Sequence, residues 1–151
     1  YPGIEGEERG QSEAIASNLA LMSKLKTQIL VFITGEGGSG GALGIGVGDH
    51  YSILEHATYS VASPEACSSI IWRTADKAAN AAEAMKVSAQ ELIKIGIVDE
   101  IISEPNGGAH RNYSKSARAI KSSILENIAK FKAIDMDKLL EMRYQKLLKI
   151  G

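Results

Sequence analysis

The order of its sequence elements predicts an α/β fold that ends in a helical appendage. Three observations carry that prediction. Short apolar, β-branched runs at residues 28–33 and 98–102 read as strands and stand among segments with helical spacing or helix caps. A glycine-dense junction, residues 35–49, follows the first run as a strand passes into a closely packed helix. The last forty or so residues carry two amphipathic helical patterns and no strand signal, so alternation gives way to a helical tail.

Each element can be justified in turn. Tyr1-Pro2-Gly3 reads as a turn opening into an acidic, glycine-bearing loop through Gly10. A helix is expected from about Ser12 to Leu25, with Ile15, Leu19, Met22 and Leu25 at helical spacing. Gln28 to Ile33 reads as a strand buried on both faces. After the glycines, Ala42 to Val47 is expected to form a small-residue helix packed closely on that strand. Tyr51–Leu54 and Tyr59–Ala62 read as two short strands around a turn. Ser63-Pro64-Glu65 starts a helix, with serine as N-cap, proline at the first helical position and an acid in the first turn. Ser88 to Glu91 matches a capping box, and Gly96 suits the end of that helix. Val98–Ile102 is the last strand, and Glu104–Asn112 a Gly-Gly-bearing loop. Two amphipathic helices close the chain, the first with Ala117, Ile120, Ile124, Ile128 and Phe131 on one face, the second beginning near Asp137. No internal repeat and no low-complexity linker is visible.

Composition narrows the function classes. At 151 residues the chain is long enough for one domain with a core, and its 44% hydrophobic and 23% charged residues are ordinary for a globular protein. Aromatics are only 5% while glycines number 15, which favours small-residue packing and backbone-made sites over an aromatic cage. No apolar run approaches the roughly 18 residues of a membrane span, and no signal-peptide pattern appears. Cys67 is the sole cysteine, so the chain has no internal disulfide and no cysteine-based zinc site. The net charge of −1 hides an asymmetry: residues 1–110 carry 7 Lys+Arg against 14 Asp+Glu, residues 111–151 carry 10 against 4. The basic tail reads first as a solvated helix face and second as a partner surface.

Residues 35–49, G-E-G-G-S-G-G-A-L-G-I-G-V-G-D, admit several readings. Gly35-x-Gly37-x-x-Gly40 matches a dinucleotide fingerprint, with Glu55 about 20 residues on, but the hairpin-like segment after Asp49 does not suit the second strand of a βαβ unit. A phosphate loop would end in Gly-Lys-Ser/Thr, and Gly41-Ala42-Leu43 stands there instead. Gly37-x-Ser39-x-Gly41 matches a nucleophile elbow, and His50, His56 or His110 would have to supply the base. A tight strand-to-helix crossing, in which glycine merely permits close packing, explains the run equally well if it stands alone.

It does not stand alone. Y-P-G-x-x-x-E-E-R-G-Q-S-E-A-I-A (1–16), the glycine run (35–49), Y-S-V-x-S-P-E-x-C (59–67), E-P-x-G-G-A-H-R-N (104–112) and R-Y-Q-K-L (143–147) resemble, in one order along the whole chain, the carboxyltransferase alpha-subunit family of acetyl-CoA carboxylase, in its C-terminal portion. The resemblance implies a crotonase-like spiral of ββα units, here lacking its N-terminal part, including strands that should flank residues 28–33. Residues 1–112 would be the C-terminal portion of that carboxyltransferase domain and 113–151 a C-terminal helical extension. It further implies transfer of a carboxyl group from carboxybiotin, delivered by a carrier protein, to acetyl-CoA to give malonyl-CoA, the first committed step of fatty acid biosynthesis. Gly40 and Gly41 would form a backbone oxyanion hole, with Gly37, Gly38, Glu36 and Ser39 on the carboxybiotin side; a glycine at such a place lets the reacting oxygen reach the amide, since no Cβ intrudes. Biotin can itself serve as base, so Glu36 is the one carboxylate to test for chemistry.

The same resemblance implies partners: a beta subunit in an alpha2beta2 complex, which would carry the zinc, the biotin carboxyl carrier protein and biotin carboxylase. No metal is expected in this chain and no nucleic acid in the catalytic role. The compartment would be the bacterial cytoplasm or the plastid stroma. Two alternatives stay open: a non-catalytic assembly fragment, or another crotonase-type acyl-CoA enzyme such as an enoyl-CoA hydratase, which would want two carboxylates, Glu36 and Glu65 being the candidates.

Overall fold

The computed structural model describes residues 3–150, and the turn predicted at Tyr1-Pro2 lies outside them. The chain enters through α1 (Gly3–Glu8) and α2 (Gln11–Met22). β1 (Leu30–Ile33) and β2 (Glu36–Gly38) then run into α3 (Ser39–Ile45), and β3 (His50–Leu54) and β4 (Thr58–Ser60) into α4 (Pro64–Trp72). Two further helices, α5 (Ala78–Met85) and α6 (Ala89–Lys94), lead to β5 (Glu100–Ile102), and α7 (Tyr113–Lys132) and α8 (Met136–Ile150) finish the fold. Sheet neighbours are parallel: β1-β3-β5 form one sheet, β2-β4 another. Each unit therefore gives its first strand to one sheet and its second to the other before a helix returns the chain. This is the α/β, crotonase-like ββα arrangement the sequence led us to expect. The repeat is one of structure, without a counterpart in residue identities.

That alternation corrects the hairpin-like reading of residues 51–62. β3 and β4 do not pair with each other; the turn at Glu55-His56 is a corner between sheets. β3 pairs in parallel with β1, with Leu30 opposite His50 and Ile33 opposite Ile53, and so it is the second strand of a crossover. All five β3 residues are buried, as a central parallel strand demands. β1 differs from expectation in the other direction. It is two residues shorter at its start than residues 28–33, only Ile33 is buried, and it forms an edge of its sheet. Ile53, Leu54, Ala89, Leu92, Val98 and Ile102 make the centre of the core. Burying a side chain such as Ile53, which has no exposed surface, contributes about 2–3 kcal/mol.

Local chemistry explains most element ends. The acidic stretch read as a loop through Gly10 is helical up to Glu8, and the Glu7 carboxylate ties it to α2 by accepting from Gln11 Nε2 (2.5 Å) and Ser12 Oγ (2.7 Å). Gly10, at φ 79°, separates it from α2. Ser63 caps α4 as predicted, its Oγ accepting from Ala66 N at 3.1 Å. Ser88 takes the N-cap position of α6, but its side chain makes no cap bond; its backbone instead bridges Thr58. The alanine-rich α5 was not anticipated from hydrophobic spacing, although alanine's helix propensity marks it.

The last two helices are tied down by polar groups. The buried stripe of α7 is Ser116, Ser123, Asn127 and Phe131, with Ile120 and Ile124 half-buried and Ala117 and Ile128 exposed, so the helix is rotated from the purely apolar face expected. The reason lies on β5. Glu100 Oε2 accepts from Ser123 Oγ (2.6 Å), Ser52 Oγ (2.9 Å), His50 Nε2 (3.1 Å) and Asn127 Nδ2 (3.2 Å). A half-buried carboxylate needs such donors, and α7 turns its small polar residues inward to supply two of them. On α8, Arg143 has 1% of its surface exposed and forms a bidentate pair with Asp49, Nε to Oδ1 and Nη2 to Oδ2 both at 2.9 Å. Its remaining donors reach the carbonyls of Met22 (2.7 Å), Leu25 (3.0 Å) and Thr27 (2.8 Å). One side chain thus joins α8, the end of the glycine run and the α2–β1 connection.

Candidate active site

The glycine run folds as a corner between strand and helix. Gly35 O accepts from Thr58 N at 3.0 Å, which lays Glu36–Gly38 beside Thr58–Ser60 with Gly37 opposite Tyr59. A Cβ at Gly37 would stand 2.7 Å from Tyr59 Cδ2, closer than real side chains approach, so the ring occupies the space a larger residue would need. Ser39 follows at φ 54°, the left-handed region that an L side chain occupies only under strain. The chain turns there and enters α3 at once, three residues before the expected start at Ala42. Small residues make that early start possible: Cβ atoms at Gly40 or Gly44 would come within 3.3 Å of the Ile15 side chain on α2.

Gly40 and Gly41 therefore lie in the first turn of α3, where backbone N–H groups have no intrahelical acceptor. Nothing lies within 4 Å of the position a Cβ would take at Gly41, so that side of the turn is open. A groove of about 500 Å³ runs past the corner, lined by Ser39, Gly40, Ala42, Leu43, Tyr59, Ser60 and Val61 on one side and Met85, Val87, Leu92 and Ile97 on the other. Of the six residues the sequence singled out, Ser39 and Gly40 line it; Gly41 lies beside them, Gly37 underneath against Tyr59, and Gly38 and Glu36 on β2 with exposed surface. Burial pushes the Tyr59 phenol above its ordinary pKa, and the Tyr51 phenol likewise.

The other readings of the corner find little support in the geometry. No hydrogen bond joins Ser39 to a histidine among the described residues. His50 is engaged by Glu100 and faces Phe131, His56 sits at the corner after β3, and His110 lies against Gly108. A dinucleotide site would use Glu55 for a ribose, but its Oε2 accepts from Glu104 N at 3.1 Å. Glu104 in turn accepts from His56 N (3.0 Å) and Ala109 N (2.5 Å), which orders the Gly107-Gly108 loop. Cys67 is a buried free thiol, and Lys77 lies over the Trp72 ring at 5.6 Å. Among the described residues no group of three His, Cys, Asp or Glu side chains stands close enough to hold a metal ion, and no helix is long and apolar enough to cross a membrane.

Sequence reasoning missed the groove's far wall and Tyr59. Met85, Val87 and Ile97 come from elements whose approach to α3 depends on the two-sheet alternation, which spacing does not reveal. Tyr59 was read only as a strand residue.

Comparison with known proteins adds a family. A family model described as acetyl co-enzyme A carboxylase carboxyltransferase-like matches residues 1–151. The acetyl-coenzyme A carboxylase carboxyl transferase subunit alpha of Azotobacter vinelandii is 54% identical over 151 residues, covering 100% of this chain and 48% of its own length. That of Vibrio cholerae is 54% identical, with 47% of its length covered. The chain spans about half the length of the curated relatives it matches. Among solved structures, a Pseudomonas malonate decarboxylase hetero-tetramer in complex with coenzyme A aligns with TM-score 0.73 at 14% identity, over 93% of this chain and 56% of that one. The transcarboxylase 12S aligns with TM-score 0.64 at 18% identity, over 86% and 25%. These distant likenesses speak to the fold.

Proposed function

The chain belongs to the acetyl co-enzyme A carboxylase carboxyltransferase-like family, and from that membership we propose that it acts in the carboxyl transfer that makes malonyl-CoA from acetyl-CoA. The observation that carries the proposal is the family match over residues 1–151, together with 54% identity to about half the length of named carboxyl transferase alpha subunits. The corner at Ser39–Gly41 supplies a fitting site. Carboxybiotin, brought by a carrier protein, would deliver the carboxyl group into the groove. This chain's part is to present the N–H groups of Gly40 and Gly41 to an oxygen that gains negative charge during the transfer. The open face at Gly41 lets such an oxygen come within hydrogen-bond reach, and donors fixed in the first turn of a helix need no reorganisation when the charge develops. Gly37 and Gly38 shape the approach, Ser39 sets the corner, and Glu36 stands at its rim.

The working enzyme is proposed to be a hetero-oligomer of alpha2beta2 type. The beta subunit would supply the acetyl-CoA side and the zinc, with the carrier protein and biotin carboxylase completing the ATP-dependent cycle in the cytoplasm or plastid stroma. Residues 1–112 would form this chain's share of the catalytic domain and residues 113–151 its helical extension. Family membership favours this reading over an assembly fragment or a hydratase; Glu36 and Glu65, the carboxylates a hydratase would want, both have exposed side chains.

The test is carboxyl transfer from carboxybiotin to acetyl-CoA by the complete alpha subunit assembled with its beta subunit, wild type against Gly41→Val. The valine is expected to lower kcat by about 100-fold or more, near the cost of one lost oxyanion donor, with little change in melting temperature because its side chain meets nothing within 4 Å of Cβ. Near-normal turnover in the variant would remove the Gly40–Gly41 assignment, and an inactive wild-type complex would remove the proposed function.

A further inference from the structure

The Tyr59 side chain is held between two glycines that belong to different ends of the α3 corner. At its ring, a Cβ on Gly37 of β2 would stand 2.7 Å from Cδ2. At its hydroxyl, a Cβ on Gly46, the residue that ends α3, would stand 2.8 Å away. The backbone of Tyr59 is fixed on both sides: it is paired in register with Gly37, and its N–H donates to Val87 O at 3.1 Å. The ring packs against the core and also lines the groove. No hydrogen bond to the Tyr59 hydroxyl is found among the described residues, so shape and not polar anchoring holds the ring. Two other contacts restrain α3: Ile15 presses on Gly40 and Gly44 from α2, and the Tyr51 hydroxyl donates to Gly46 O while accepting from Gly48 N at 3.1 Å. Tyr59 alone of the three touches both the strand entering the corner and the residue leaving the helix.

We propose that Tyr59 is a positioning residue for the Gly40–Gly41 amide pair, its ring acting as the spacer that sets α3 against β2. The inference rests on the proposed role of that pair. It predicts that side-chain bulk is what matters, the ring against Gly37 and the hydroxyl oxygen against Gly46, and not hydrogen bonding by the phenol. A smaller side chain would let the short helix settle toward β2 and move its first-turn N–H groups, while leaving the groove open to substrate.

The experiment uses the complete alpha subunit assembled with its beta subunit and three variants, Tyr59→Leu, Tyr59→Phe and Gly37→Ala. Tyr59→Leu is expected to lower kcat by roughly 10–100-fold with KM for acetyl-CoA within about threefold, the split that marks lost transition-state contacts. Tyr59→Phe keeps the ring against Gly37 and loses only the oxygen against Gly46, so its kcat is expected to fall between those of wild type and Tyr59→Leu. Amide hydrogen exchange of residues 42–46, read independently of activity, should quicken most in Tyr59→Leu and less in Tyr59→Phe. Gly37→Ala pushes on the ring from below and should reproduce the kcat loss; if Tyr59→Leu fails to assemble, this variant decides. In a Gly37→Ala/Tyr59→Ala double variant the effect of Gly37→Ala should shrink, because the ring atoms it strikes, Cδ2 and Cε2, are gone. Unchanged kcat and exchange in Tyr59→Leu, or a Tyr59→Phe as impaired as Tyr59→Leu, would overturn the proposal. An inactive wild-type complex would instead count against the proposed function, while the exchange results would still report on Tyr59.

Discussion

A guanidinium with 1% of its surface exposed is an expensive thing to bury, and Arg143 is tolerated because every direction it points has an acceptor. Asp49 is equally enclosed, and its Oδ2 also accepts from Ile29 N at 2.8 Å. Removing the arginine leaves that carboxylate buried without its counter-charge. Arg143→Ala is therefore expected to destabilise the folded chain by about 3–5 kcal/mol, read as a drop in urea midpoint. Arg143→Lys should recover only a minor part, since one ammonium cannot span both carboxylate oxygens and three carbonyls. The role of Arg143 was not legible in the sequence. R-Y-Q-K-L served there only as a family ending, and the one hint was a cation four residues after Leu139, on the stripe that turned out to be buried. Ser39 teaches the converse. Its place in the glycine run was plain, but its left-handed backbone was not.

At the scale of elements, helix α7 shows how polar groups choose a helix face. Burial pushes the Glu100 carboxyl up, but hydrogen bonds from Ser123, His50, Ser52 and Asn127 outweigh that effect and hold it below the ordinary carboxylate range. A carboxyl whose folded pKa is lowered adds stability that is complete above its unfolded value, about 4.3, and disappears as pH falls through the folded value. Acid should accordingly loosen α7 from β5. Glu100→Gln is expected to flatten the acid limb of a stability-against-pH curve between about pH 5 and pH 3. An unchanged limb would show that other carboxylates govern it. Helix existence was well read from the sequence: α2, α4, α6, α7 and α8 all lie where spacing or caps put them. Which face each would bury was not, because two small polar residues on α7, Ser123 and Asn127, answer a charge on a strand 23 and 27 residues away. Four of the five strands were located, β2 lying hidden in what read as a glycine loop, and they were paired wrongly, since adjacency in sequence suggests a hairpin and only the burial of both faces of β3 argues for parallel partners.

Across the whole molecule, apolar surface is left uncovered. Leu125 on α7 is 56% exposed, and Tyr144 and Leu148 on α8 are 57% and 54%. These residues stand among the basic groups of the tail, whose net charge over residues 111–151 is positive. We propose this surface as the subunit contact. Leu125→Asp combined with Leu148→Asp is expected to weaken assembly with the beta subunit by at least about tenfold, measured by light scattering on the complete subunits, and to leave the melting temperature of the alpha subunit alone within a few degrees, because neither side chain is in the core. An unchanged complex would place the contact elsewhere.

The link between Asp49 and Arg143 also has a consequence in time. The two residues are 94 positions apart, so a ribosome adding roughly 5–20 residues per second makes the aspartate about 5–20 s before its partner. Throughout that interval the nascent corner carries an unanswered charge that favours water over the interior. The glycine turn cannot dry out around it until α8 has emerged and docked. Synthesis order thus keeps the glycine corner hydrated and provisional, and it closes only when α8 is present to hold it.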